Sequence, residues 1–185
     1  MTEKEKMLAG LPYDAGDKQL REERMHARML LHKFNHSMPD AKQERVAVLT
    51  ELFGSYDGGT IEPNFRCDYG SNIYFGKNFY ANFDCVILDV CEVHIGDNCM
   101  FGPGVHIYTA GHPLNAVERN SGIEFGSPVT LGESVWVGGH VSILPGVHIG
   151  NNVVIGSGSV VTKDFPDDVV IAGNPAKIIK HIDNK

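Results

Sequence analysis

An aliphatic residue at every sixth position is the strongest constraint on what this chain can fold into. Leu131, Val137, Ile143, Ile149, Ile155 and Val161 keep the spacing without error, and glycine follows at once at Gly132, Gly138, Gly150 and Gly156. A helix repeats its faces every ~3.6 residues and a strand every ~2, so a strict period of six fits neither as a simple surface element. It fits a parallel β-helix, in which each hexapeptide makes one short strand and one corner, and three of them close a triangular coil with the aliphatic position inside. The pattern reaches back through Phe75, Ala81, Ile87 and Val93 and, after a two-residue shift, through Ile95, Phe101 and Ile107. At the ~4.8 Å separation of neighbouring strands, about five coils make a prism roughly 25 Å tall.

Glycine also marks a border. Of 21 glycines in the 185-residue chain, only Gly10 and Gly16 precede Gly54. Residues 1–55 are therefore expected to be helical, and residues 56–185 to form the β-helix with a C-terminal tail. Leu20, Arg24, Ala27, Met29, Leu30, Leu31 and Phe34 trace an approximate helical stripe. A second helix is expected from near Ser37 and Pro39, carrying Val46, Leu49, Leu52 and Phe53 to a stop at Gly54. Two helices make a thin core alone, so they should pack as a flap on the β-helix.

Sixteen basic against 23 acidic residues, a net charge of -7, argue against a general nucleic-acid or anionic-membrane surface, which needs a dense positive field. No stretch is long and apolar enough to cross a bilayer. The charged N-terminus, Met1 to Lys6, leads into no apolar signal region, so the expected compartment is the cytoplasm. Cys67, Cys85, Cys91 and Cys99 lack CxxC spacing and are expected to be reduced and mostly buried. From residue 120 onward the only Lys or Arg residues are Lys163, Lys177, Lys180 and Lys185, a cluster that suits a small polyanion.

Inward aliphatics and corner glycines specify a solenoid and no reaction, so function is sought where the repeat breaks. It breaks between Ile107 and Leu131, in an excursion over residues 111–128 with no clear period of its own. Excursions of this length in compact folds are usually functional or disordered. His112 stands at its mouth, and Pro113 restricts it to extended geometry. An imidazole titrates near neutrality, which suits a general base.

Together with the array, TAGHP at 109–113, ANFDC at 81–85, IGDN at 95–98, VWVGG at 135–139, VVTKD at 160–164 and AGNPAK at 172–177 resemble the maltose and galactoside O-acetyltransferase family, nearest to its maltose branch. EKMLAGLPYDAGD at 5–17 and FNHSMP at 34–39 extend the likeness to the leading segment, so it covers nearly the whole chain. The resemblance implies a left-handed β-helix assembled as a homotrimer. It implies acetyl-CoA as the acetyl donor, lying between neighbouring prisms, a sugar such as maltose or glucose as acceptor near the loop, and no metal. His112 matches the family's catalytic histidine, and Asn82, with nearby backbone N–H groups, is the matching candidate for stabilising the oxyanion. On the acceptor side the resemblance carries over Asp68 and Asn82, then Asp89 and, from the flap, Asp14. Galactoside-type members place their acid one position after Asp89, where this chain has Val90. For the donor, Gly139 and Ser157 are expected beside the pantetheine, Thr162 and Lys163 near the adenosine, and Lys177 and Lys180 near the phosphates. Other members often carry arginine at the last two positions, and lysine keeps the charge but loses the bidentate fork.

Other hexapeptide proteins are alternatives. A galactoside, serine or other small-molecule acetyltransferase would share the mechanism and differ in acceptor. A γ-class carbonic anhydrase would hold a metal with three histidines between subunits. His94, His106 and His112 share one repeat position, and His94 and His112 are a full coil apart, so two could stack. Against this, the anhydrase pattern has no helical flap. A scaffold without activity would leave His112, the terminal lysines and the flap without a common explanation.

Overall fold

The computed structural model describes residues 1–183; Lys185, the last of the C-terminal lysines, lies outside the described residues. Three stacks of short parallel strands form the faces of a triangular prism. The first face holds Gly59–Ile61, Phe79–Ala81, Met100–Phe101, Trp136–Val137, Val154–Ile155 and Val169–Gly173, and it ends in the antiparallel strand Ala176–His181. Phe65–Cys67, Cys85–Leu88, His106–Tyr108, Ser142–Ile143 and Val160–Val161 form the second face. Ile73–Phe75, Val93–Ile95, Val129–Leu131 and His148–Ile149 form the third. The chain visits the faces in that order, turning at three edges.

Every residue of the six-spaced series is at most 3% exposed, so the periodic position is the inward one along the whole prism. The two-residue shift has a definite location. In the lower coils Phe75 pairs with Ile95 and Ile87 with Ile107, a step of 20 residues. In the upper coils Leu131 pairs with Ile149 and Val137 with Ile155, a step of 18. The surplus falls between the second and third faces, after Ile87 and before Ile95. The 111–128 excursion leaves the prism at this same edge, one coil higher. The other two edges are stacked glycines. A Cβ on Gly96 would lie 2.6 Å from the Gly132 carbonyl carbon, and one on Gly138 would lie 2.6 Å from the Ser157 nitrogen, so neighbouring coils touch backbone to backbone there. The edge between the second and third faces carries Leu144 and Thr162 in the equivalent places, which explains why glycine skips every third repeat.

The leading segment contains α1 (Glu3–Leu8), α2 (Lys18–Asn35) and α3 (Lys42–Leu52). Helix α1 was not among the elements expected, although Thr2 and Glu5 form a reciprocal capping box: Glu5 N–H donates to Thr2 Oγ1 at 3.1 Å and Thr2 N–H to Glu5 Oε2 at 2.7 Å. Helix α2 buries Leu20, Ala27, Leu30, Leu31 and Phe34. Met29 is 63% exposed, because at ~100° per residue it falls opposite that stripe. Helix α3 starts at Lys42, later than the sequence suggests, and buries Val48 in place of Val46. Ser37 instead ties the two helices, donating to the Phe34 carbonyl and accepting from Arg45 Nε.

The apolar faces of α2 and α3 run into the prism interior as one core; Phe53, just past α3, meets Phe65 and Phe75 edge-on. Asn35 fastens the end of α2 to the first coil, its amide both donating to and accepting from the Phe65 backbone at 2.9 Å. A second cluster, Met7, Tyr13, Leu20, Tyr69 and Val90, joins the flap to the edge between the second and third faces. The excursion is itself ordered. Ala110–Gly111 pairs antiparallel with Ile123–Gly126, which pairs in turn with the flap strand Tyr13–Asp14, and α4 (Ala116–Asn120) caps the turn between them. No helix among the described residues is long and apolar enough to cross a membrane.

Candidate active site

His112 follows the strand Ala110–Gly111, and the pairing of that strand brings Glu124 alongside. His112 Nε2 lies 3.8 Å from Glu124 Oε1, and Nδ1 lies 3.5 Å from the Ile123 carbonyl. A ring whose Nδ1–H turns to that carbonyl leaves the Nε2 lone pair free to take a proton. The imidazole is 55% exposed and so within reach of a ligand, whereas Glu124 is 17% exposed. The second carboxylate oxygen, Oε2, accepts from the Tyr13 hydroxyl at 2.6 Å. Beyond His112 the chain is braced by Arg119, whose Nη1 donates to the Pro113 and Leu114 carbonyls.

Glu124 also lines a cavity of about 230 Å³ at the same edge of the prism, together with Asp68, Arg24, Arg28, Tyr69, Ala15 and Val90. Burial raises the Asp68 carboxyl above its usual range and the Glu124 charge adds to the effect, while the Arg24 and Arg28 guanidinium groups oppose it. Arg24 is fixed by donating to the Tyr69 hydroxyl at 2.6 Å and to the Ala15 carbonyl at 2.7 Å. Acidic acceptors and guanidinium donors thus share a small polar space, a lining suited to a polyhydroxylated ligand.

Asp89 does not line this cavity. It is fully buried beneath it, with Oδ1 accepting from the N–H groups of Asp68 at 2.9 Å and Tyr69 at 3.0 Å, while Oδ2 has no hydrogen-bond partner. Burial pushes its carboxyl up to about 7, against the lowering effect of the N–H donors. In this position Asp89 supports the Asp68–Tyr69 backbone beneath the cavity. Asp14 also lies elsewhere: it accepts from Gly16 N–H and faces a separate cleft lined by Lys6, Ser121 and Ile123.

The remaining candidates fall on other parts of the prism. Asn82 begins the edge between the first and second faces, its Oδ1 accepting from Phe83 N–H at 2.8 Å. Gly102, Gly138–Gly139 and Gly156–Ser157 stack above it on that edge. Thr162 and Lys163 lie at the top of the edge that carries His112, with Lys163 Nζ 5.7 Å over the Phe165 ring. Lys177 and Lys180 sit on the terminal hairpin opposite Ala172 and Val170. Three residues apart, they would face opposite ways on a regular strand, but the bulge between these pairs returns both to the outward side. A single chain therefore does not unite Asn82 with His112, nor Gly139 and Ser157 with Thr162.

Glu124, Tyr13, Arg24 and Arg28 are site residues that the sequence alone does not single out. Arg24 enters the sequence pattern only as part of a stripe, and nothing local marks the rest, since Tyr13 and Glu124 meet across 111 positions. The stacking that spacing allows His94 and His112 is not formed: His94 lies on Tyr74 and binds Glu92, His112 turns to Glu124 and Ile123, and His106, on another face, has its Nδ1 2.6 Å from the Tyr108 hydroxyl. Among the described residues no group of three or more His, Cys, Asp or Glu side chains could hold a metal ion. All four cysteines are free thiols, with Cys85, Cys91 and Cys99 buried.

Comparison with known proteins places this architecture. Residues 6–58 match the family described as the maltose acetyltransferase hexapeptide capping motif, and residues 128–163 match the bacterial transferase hexapeptide of six repeats. A maltose O-acetyltransferase structure from Clostridium difficile 630 superposes with a TM-score of 0.98 at 54% identity, covering 100% of this chain and 99% of that one. A hexapeptide-repeat acetyltransferase from Vibrio cholerae O1 biovar eltor, solved with acetyl coenzyme A, gives 0.93 at 34% identity, covering 100% of each chain. The galactoside O-acetyltransferase of Escherichia coli K12 is 43% identical over 167 residues, 90% of this chain and 82% of that protein. With its left-handed parallel β-helix, its capping segment and these relatives, the chain belongs to the maltose and galactoside O-acetyltransferase family of hexapeptide-repeat acetyltransferases.

Proposed function

We propose that the protein transfers an acetyl group from acetyl-CoA to a hydroxyl of a sugar such as maltose or glucose, with His112 as general base. The observation that carries this reading is the placement of His112 beside Glu124, a residue that also lines the polar cavity of Asp68, Arg24 and Arg28. The acceptor hydroxyl gives its proton to His112 Nε2 as its oxygen attacks the thioester carbonyl. The tetrahedral adduct then collapses with cleavage of the carbon–sulfur bond, and the imidazolium returns the proton to the departing thiolate. Glu124 stabilises the imidazolium, and Asn82 with backbone N–H groups meets the oxyanion. Holding two substrates in register supplies much of the acceleration.

Asn82, Gly139 and Ser157 occupy one edge of the prism, while His112, Thr162 and Lys163 occupy another. This supports a site between chains, in which acetyl-CoA lies along the groove of a homotrimer and Lys177 and Lys180 face its phosphates. Release of free thiol from acetyl-CoA, followed with maltose, glucose, a thiogalactoside, serine and buffer alone, tests the proposal. Sugar-dependent release is expected; its absence with every sugar would overturn the reading. Serine-dependent release would move the acceptor to another class.

A further inference from the structure

We infer that Tyr13 is a positioning residue for this reaction: from the capping segment, it holds Glu124 where that carboxylate can stabilise the imidazolium that His112 becomes. The inference rests on the reading of His112 as the base. Tyr13 and Glu124 are direct cross-strand partners in the small antiparallel sheet that joins flap to excursion. The Tyr13 hydroxyl donates to Glu124 Oε2 at 2.6 Å, which leaves Oε1 facing His112 Nε2 at 3.8 Å.

A glutamate at such a place has other destinations. The charged and titratable groups around Glu124 are Tyr13, Tyr69, Asp68, Arg24, Arg28 and His112. The two guanidinium groups attract it into the cavity and away from the imidazole, and the carboxylate is carried on a flexible stem. Tyr13 opposes that motion because its ring cannot follow. It is 2% exposed and packed with Met7, Leu20, Tyr69 and Val90. Burial, reinforced by Glu124, also holds its hydroxyl well above the usual phenol range, so it remains a donor throughout the neutral range. The capping segment would thus contribute to turnover through one hydroxyl, besides covering the end of the prism.

Tyr13→Phe keeps the ring and deletes only the donor. With sugar and acetyl-CoA both saturating, kcat is expected to fall about fivefold, in the range of one ordinary lost hydrogen bond, with the KM for acetyl-CoA unchanged. Glu124→Gln should lower kcat by at least as much, again with the KM for acetyl-CoA unchanged. In the Glu124→Gln background, Tyr13→Phe should add nothing. Wild-type kcat in Tyr13→Phe would overturn the inference, as would a loss that persists in full in the Glu124→Gln background. His112→Ala in the same series separates the two failures: near-normal turnover there removes the base itself, whereas collapse there with a silent Tyr13→Phe removes only the positioning role.

Discussion

Replacing His112 by alanine should leave the fold and acetyl-CoA binding intact, because the side chain is half exposed and its one backbone contact is long. Turnover should fall roughly 10²-fold or more, and near-normal turnover in the thiol assay would take the residue out of the chemistry. Asp89 makes a different prediction. Its carboxyl rises from 3.8 to about 7 on folding, so the folded chain holds this proton more tightly than the unfolded chain. The stability it contributes is full below about pH 4 and is lost as pH rises towards 7. Asp89→Asn keeps an oxygen for the Asp68 and Tyr69 N–H groups and cannot ionise, so its melting temperature should gain on wild type between pH 4 and pH 8. A constant difference across that range would show that Asp89 does not titrate there. At this scale His112 was legible because Pro113 and a broken repeat surround it, and Asp68 through its family motif. Glu124 and Tyr13 were not, since their meaning is created by strand pairing between distant segments.

The inward side chain of each short strand was readable from periodicity alone, whereas the edges required the structure. Glycine skips every third repeat: at two edges a Cβ would meet the backbone of the next coil, while the third carries Leu144 and Thr162 in the equivalent places. Gly96→Ala should therefore cost about 2 kcal/mol or more, its Cβ meeting the Gly132 carbonyl in the next coil. Gly158→Ala, with φ +73 and nothing within 4 Å, should cost only the ~1–2 kcal/mol of a left-handed backbone. Denaturant midpoints of the two variants compare these costs directly; equal losses would mean that contact between coils is not what the glycines serve. On the terminal hairpin the bulge gathers two lysines that strand alternation would separate. Lys177→Ala with Lys180→Ala should raise the KM for acetyl-CoA and barely alter that for sugar, and an unchanged acetyl-CoA constant would return both residues to a solvated surface.

Considered as a whole, the prism keeps Asn82 and His112 on separate edges, so a site that needs both has to be completed by a neighbour. Asn82→Ala and His112→Ala chains, each weakly active alone, should then complement each other when refolded together. Random assembly of equal amounts in a closed ring leaves about one site in four with both wild-type residues. Recovery approaching that fraction would support the shared site, and no recovery despite mixed assembly would place the whole reaction within one chain. The sequence could not disclose this arrangement, because equal spacing around a triangle hides which edge a residue occupies until the coils are counted.

The excursion departs after Tyr108 and the chain re-enters the prism at Val129, where other coils make an ordinary turn. Its length is therefore independent of every inward position: the coil above it still stacks on the coil below, with Val93 opposite Val129 and Ile107 opposite Ile143. Insertions or deletions in the turn beyond His112 and before Ile123 can reshape what an acceptor meets while the paired strands and the solenoid carry them unchanged. The edge works as a graft site, at which new specificities can be tried without renegotiating the fold.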